Sequence, residues 1–288
     1  MYNDEQPDPS KKKPSTAPTS HTFVSSIAAS NGPILGTILS FPHTITAKLA
    51  ARAGFQWLMI DMEHAPFTME QATDLVHAVV AASQGACLPL LRIPSHSTEW
   101  IKWGLDTGAA GIIVPMVHTA ADAEAIVDKA LYPPRGSRSF GPYNAPFGSL
   151  DPGTSFADYY AKAQARGPAI LPIIESREGV ANAEAIMSVD GVTGIFIGPY
   201  DLRLSLGLSG GSDGPEDEFV AALEKIVGIG KRLGKPVGSM GTGEELSAKR
   251  TKQGMDFLLV SFDYNALVKG YRTDLENARK GVERAVKL

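Results

Sequence analysis

The sequence predicts an α/β fold of the (β/α)8 (TIM) barrel class, with one catalytic domain over residues 23–288 behind a disordered leader at 1–22. Three observations predict it. Eight short apolar runs are separated by helix-like segments, the pattern of a parallel α/β sheet. The runs are continuous rather than alternating, as expected of strands covered on both faces. The chain of 288 residues suits one barrel of roughly 250 residues plus a tail. A doubly wound open sheet is the alternative. It usually carries a glycine-rich phosphate turn after its first strand, but that turn reads Leu39-Ser40-Phe41-Pro42-His43, without glycine.

The leader is rich in Pro, Ser, Thr, Asp and Lys and cannot bury enough apolar surface to order itself. The first strand is Ile34–Leu39, followed by a helix over Thr44–Gly54. The second strand is Gln56–Asp61. Its helix, Thr68–Ala82, opens on Thr68-Met69-Glu70-Gln71, a capping-box pattern. The third strand is Leu88–Ile93. The fourth, Gly111–Pro115, leads to a helix over Thr119–Leu131 with Ala, Ile and Val at helical spacing. A long connection from Tyr132 to Gly167 follows, with a short helix near Ser155–Gln164. A connection of that size in a compact domain points to function. The fifth strand, Ile170–Glu175, precedes a helix at Glu178–Met187, and the sixth is Gly194–Ile197. A helix at Glu216–Leu233, a strand at Pro236–Gly238, a helix at Glu244–Gln253, a strand at Phe257–Val260 and a last helix at Asn265–Val286 complete the order.

Composition narrows the function classes. Hydrophobic residues make 43% and charged residues 20% of the chain, the proportions of a globular soluble domain. The net charge of −4 lacks the basic footprint of a nucleic-acid binder. No run approaches the ~18 apolar residues of a membrane span. The leader has no apolar core of a secretory signal, and the Val286-Lys287-Leu288 ending only loosely resembles a peroxisomal address. The expected location is cytoplasmic. The single cysteine, Cys87, sits in an apolar run, so neither a disulfide framework nor a cysteine zinc site is expected.

Catalytic groups of such barrels sit at the C-terminal ends of strands. There the sequence places Asp61-Met62-Glu63-His64, Arg92, His118, Glu175 and, just past the sixth strand, Asp201. Apolar strands seldom end on carboxylates for packing reasons, since an unpaired buried charge is costly. Glu175 and Asp201, one strand–helix unit apart, make a site for a hard divalent cation. Plainer readings stand beside this one. Glu175 or Asp201 caps the following helix, Arg92 pairs with Glu63, and His64 is a loop histidine. No predicted strand core contains a lysine, and Lys235 precedes its strand, so imine chemistry is disfavoured.

Five strings together resemble the HpcH/HpaI aldolase family of metal-dependent pyruvate aldolases, over roughly residues 30 to 270. They are Asp61-x-Glu63-His64-x-Pro66, Arg92-Ile-Pro94, Tyr132-Pro-Pro-x-Gly136-x-Arg138, Ile174-Glu175-x-Arg177-Glu178 and Gly198-Pro199-x-Asp201-Leu202. The resemblance implies that Glu175 and Asp201 bind Mg2+ or Mn2+, with Co2+ as an alternative. The ion holds a 2-oxo acid and stabilises the pyruvate enolate formed on C–C cleavage. Arg92 shares that charge. His64, oriented by Asp61, handles protons, and the backbone at Gly198 and Pro199 meets the substrate carboxylate. Asp106 reaches toward a neighbouring subunit, and Glu63 supports the site.

The implied activity is reversible aldol cleavage of a 4-hydroxy-2-oxo acid to pyruvate and an aldehyde. The implied assembly is a homohexamer whose dimers exchange the last helix. Two departures bear on substrate. Ile173 stands where bacterial members usually carry glutamine, and Phe41-Pro42-His43 replaces small polar residues after the first strand. The alternatives are an oxaloacetate decarboxylase or macrophomate synthase-like enzyme, a malyl-type CoA-ester lyase, and a catalytically silent barrel serving as a scaffold.

Overall fold

A computed structural model describes residues 22–148 and 155–286. In chain order the elements are α1 (Phe23–Ala28), β1 (Ile34–Leu39), α2 (Thr44–Arg52), β2 (Trp57–Asp61), α3 (Met69–Ser83), β3 (Leu88–Arg92), α4 (Thr98–Asp106), β4 (Gly111–Val114), α5 (Ala120–Ala130), α6 (Ala145–Gly148), α7 (Phe156–Arg166), β5 (Ala169–Ile174), α8 (Arg177–Ala181), α9 (Ala183–Ser188), β6 (Ile195–Ile197), α10 (Pro199–Ser205), α11 (Asp217–Leu233), β7 (Val237–Met240), α12 (Gly243–Gln253), β8 (Phe257–Phe262) and α13 (Asp263–Val286). The eight strands close in sequence order into one barrel. Every neighbouring pair is parallel, including β8 with β1.

Strand parity divides the core in two. Ile34, Ile38, Trp57, Met59, Leu88, Leu90, Ile113, Leu171, Ile173, Phe196, Phe257 and Leu259 fill the barrel interior. The alternate residues, among them Leu58, Ile60, Leu91, Ile112, Ile170, Ile174 and Ile197, pack outward against the helices. Both sets are apolar, which is why the runs read as continuous. Gly36 makes room for the largest interior ring, because a Cβ there would lie 2.3 Å from Trp57. Phe23 of α1 plugs the N-terminal mouth, meeting Trp57 and Phe257 edge-on with centroids 6.4 and 5.0 Å away.

The expected strands and most helices are present. The capping box at Thr68 forms reciprocally with Gln71. Four helices were not expected: α1, α4, α6 and α10. Ile101, Gly104 and Leu105 of α4 are its buried face, a short pattern interrupted by glycine. The expected helix at Glu178–Met187 is two, broken at Asn182. Thr22, assigned to the leader, is the N-cap of α1. The rest of the leader lies outside the described residues, as do Lys287 and Leu288. No helix among the described residues is long and apolar enough to cross a membrane.

Candidate active site

The interior parity continues to the C-terminal rim and there changes chemistry. Along β2 the inward positions are Trp57, Met59 and then Asp61. Along β3 they are Leu88, Leu90 and then Arg92. Along β5, Leu171 and Ile173 are followed by Glu175, and past β6 Phe196 is followed by Gly198. A period of two residues therefore delivers a cation, two anions and a bare backbone to one end of the barrel.

Glu175 is buried, and its Oε1 accepts a hydrogen bond of 2.7 Å from the backbone N–H of Met116. Met116 adopts the left-handed conformation, with φ of 54°. That conformation is uncommon for a residue other than glycine and here turns the amide toward the carboxylate. Burial pushes the Glu175 carboxyl up to about 7. The Met116 bond opposes this, and the charges of Asp201 and Glu63 add to it. The other oxygen, Oε2, lies against the Cα of Gly198, where a Cβ would sit 2.3 Å away. The carboxylate thus occupies space that only glycine leaves.

Ser176, not Glu175, caps α8, accepting from Gly179 N–H. Asp201 lies in the first turn of α10, whose N-cap is Gly198 and which opens on Pro199, so it is not an N-cap either. Asp201 is exposed to the rim. Arg203, two residues on, is buried and anchors α10 through a bidentate pair with Glu216 at 2.6 and 2.8 Å and a bond to Ser209 O at 2.9 Å.

Asp61 takes two hydrogen bonds from Arg92, Nε at 2.8 Å and Nη2 at 2.7 Å. The remaining nitrogen, Nη1, is 3.1 Å from Glu63 Oε2. Burial works against the Arg92 charge, but the carboxylates of Asp61, Glu63 and Glu175 outweigh it and raise its pKa. Burial also raises Glu63, opposed by Arg92 and His64. Toward His64, Asp61 accepts only the backbone N–H, at 3.4 Å. The imidazole is 66% exposed, with Nε2 3.8 Å from Glu63. In this chain Asp61 orients the arginine, and Glu63 is the acid beside the histidine ring.

Other expected residues fall elsewhere. His43 caps α2 through Nδ1. His96 Nε2 lies 2.5 Å from Pro115 O, and His118 Nδ1 is 2.7 Å from Ser176 Oγ. Asp106 ends α4 at the opposite mouth of the barrel and pairs with Arg138 at 2.5 Å. It does not reach the rim of its own chain. Met116 and Arg203 went unrecognised. Their roles come from a backbone dihedral and a long-range pair, neither of which leaves a local signal.

The donor set fits a hard dication. Among the described residues no three His, Cys, Asp or Glu side chains cluster as a ready-made cage. Two carboxylates with like charge and one free oxygen on Glu175 match ions that keep water or substrate on their other positions. The strands hold no lysine, and no lysine is buried among the described residues.

The chain is 34% identical over 251 residues to hydroxypyruvate/pyruvate aldolase of Rhizorhabdus wittichii, covering 86% of this chain and 94% of that one. It is 35% identical to 4-hydroxy-2-oxovalerate aldolase of Novosphingobium aromaticivorans, covering 88% and 94%. The solved structure of macrophomate synthase superposes with a TM-score of 0.79 at 28% identity, covering 90% of this chain and 88% of that one. Residues 39–269 match the model of one family, so the chain belongs to the HpcH/HpaI aldolase/citrate lyase family of lyase-type enzymes.

Proposed function

We propose that this protein is a divalent-metal-dependent carbon–carbon lyase that cleaves a 4-hydroxy-2-oxo acid reversibly to pyruvate and an aldehyde. The observation that carries the reading is a buried Glu175, near enough to Asp201 to feel its charge, beside an arginine already held by Asp61 and Glu63. Glu175 and Asp201 would hold Mg2+, Mn2+ or Co2+. A dication there supplies Lewis-acid charge to a 2-oxo acid.

The chain's own groups do the rest. As the C3–C4 bond breaks, its electrons move toward the keto oxygen, giving the pyruvate enolate. Arg92 meets that growing charge without reorganising, because two hydrogen bonds and an ion pair fix its fork. The 4-hydroxyl must lose a proton in the same step. His64, exposed at the rim and near Glu63, accepts it and later returns one to the pyruvate carbon. Gly198 and Pro199 present backbone to the substrate carboxylate. The test is turnover of pyruvate with a panel of aldehydes. Glu175→Ala and Asp201→Ala should each abolish turnover and metal retention while leaving the fold intact. Full activity in excess chelator contradicts the reading.

Ile173 favours a second reading. It is buried directly below Glu175 and leaves the site an apolar floor. The same groups would then serve decarboxylation of oxaloacetate, with the enolate protonated or added to a second substrate. Consumption of oxaloacetate, with no adduct from pyruvate and any aldehyde, selects this reading.

We also propose a homo-oligomer, a hexamer built by exchange of α13. This 24-residue helix has no buried residue. Leu267, Val268, Tyr271, Leu275 and Val282 are exposed along it at helical spacing. A lone amphipathic helix of this kind leaves its apolar stripe for a second copy.

A further inference from the structure

The turn after β1, Ser40-Phe41-Pro42-His43, lies at the same end of the barrel as Arg92 and Glu175. Ile34 and Ile38 point to the interior, so Ser40 is the next position of inward parity. The pairing of Leu39 with Ile60 sets Ser40 level with Asp61. Strand order puts β3, with Arg92, on one side of Asp61 and this turn on the other.

Asp263, the first residue of α13, reaches the turn across the seam between β8 and β1. Its Oδ2 accepts from the backbone N–H of Ser40 at 2.7 Å and of Phe41 at 3.0 Å. Its Oδ1 accepts from the Ser40 hydroxyl at 2.6 Å and from the N–H of Tyr264 at 2.8 Å. A carboxylate has about four acceptor positions, so this half-buried one has none left for an ion or a substrate. Whatever Asp263 does for the reaction, it does through the turn. Bonds to an ionised acceptor are stronger than neutral ones, and here three of them tie together segments more than 220 residues apart.

The direction of the second reactant follows from the reaction read above. The 2-oxo acid lies against Glu175, Asp201 and Arg92, at the ends of β5, β6 and β3. His64, past the end of β2, takes the proton of the 4-hydroxyl, so the aldehyde carbon lies toward β2. The next wall beyond β2 is the Ser40–His43 turn. Resting on that reading, we propose that this turn is the wall against which the aldehyde docks, and that Asp263 is the positioning residue that holds it.

Two reactions of the full chain with Mg2+ separate this role from enolate formation. Deuterium entry into the pyruvate methyl group in D2O needs no aldehyde, whereas adduct formation from pyruvate and propanal gives the KM of the acceptor. Asp263→Asn, which turns one accepting oxygen into a donor, should raise that KM about tenfold and leave methyl exchange within about threefold of wild type. Ser40→Ala, which removes the hydroxyl bond alone, should raise the KM by less. Without metal or substrate, the Ser40 and Phe41 amides should exchange hydrogen slowly in the wild type and fast in Asp263→Asn. An unchanged KM, an equal fall in both reactions, unaltered amide exchange, or methyl exchange with no propanal adduct in the wild type overturns the proposal. A wild type that exchanges no methyl protons overturns the parent reading and the proposal with it. If Asp263→Asn fails to fold, the same comparison on Ser40→Ala decides.

Discussion

The carboxylate of Glu175 rests on the Cα of Gly198, its Oε2 at 2.3 Å from the position a Cβ would take. Gly198 has φ of −84°, a conformation open to any residue, so space and not backbone freedom demands glycine. Gly198→Ala should push the carboxylate off its line with Asp201. Metal affinity should fall on the order of 10–100-fold, as for other residues that support a ligand, with the fold retained. Metal titration of the variant followed by calorimetry checks this, and unchanged affinity would show that the contact is incidental.

Arg92 should be the most sensitive residue outside the metal pair. Arg92→Ala is expected to cost on the order of 10²–10³ in turnover, like removal of an oxyanion donor. Asp61→Ala should lower turnover in the same direction, since it releases both hydrogen bonds that aim the guanidinium. Steady-state kinetics at saturating metal measures both. A change below about threefold in Arg92→Ala, where hundreds are expected, rejects the role.

Arg203 and Glu216 give a pH dependence. The Arg203 hydrogen bonds hold the Glu216 carboxyl at about 2, well below its ordinary 4.5. A depressed carboxylate binds fewer protons in the folded state, so its contribution is full above about pH 4.5 and is lost as pH falls toward about 2. Thermal melts across that window should show the wild type losing stability more steeply than Glu216→Gln. Equal slopes would mean that the pair contributes nothing measurable.

Phe23 closes the barrel from outside the strands. It is 1% exposed and contacts both Trp57 and Phe257. Phe23→Ala should destabilise the fold by about 3–5 kcal/mol, the range for a buried aromatic. Denaturant unfolding reads the value, and a cost under about 1 kcal/mol, far below that range, would show that α1 frays without consequence.

Light scattering tests the proposed assembly. The full chain should run as an oligomer and Leu275→Glu, in the exposed stripe of α13, as a smaller species. A stable monomer in the unaltered chain rejects the exchange of α13.

The barrel was legible because eight buried strands leave eight apolar runs, and the rim was legible because Asp61, Arg92 and Glu175 interrupt those runs at their ends. What hydrogen-bonds to what was not. The resemblance set Asp61 to orient His64, whereas its side chain is committed to Arg92, 31 residues away. Met116 was invisible because its part is played by a backbone amide in an unusual dihedral. Arg138 stood out only within a string of prolines and glycines, and its bond to Asp106, 32 residues away, forms only when the chain folds. Local pattern encodes parity and burial, and partners across the barrel are decided by closure.

Anomalous diffraction from crystals soaked with Mn2+ and pyruvate tests the central claim most directly. The account predicts one strong peak between Glu175 and Asp201, with pyruvate on its open side and Arg92 beside the keto oxygen. A peak elsewhere, or carboxylates that splay apart and leave the position empty at saturating metal, would contradict it.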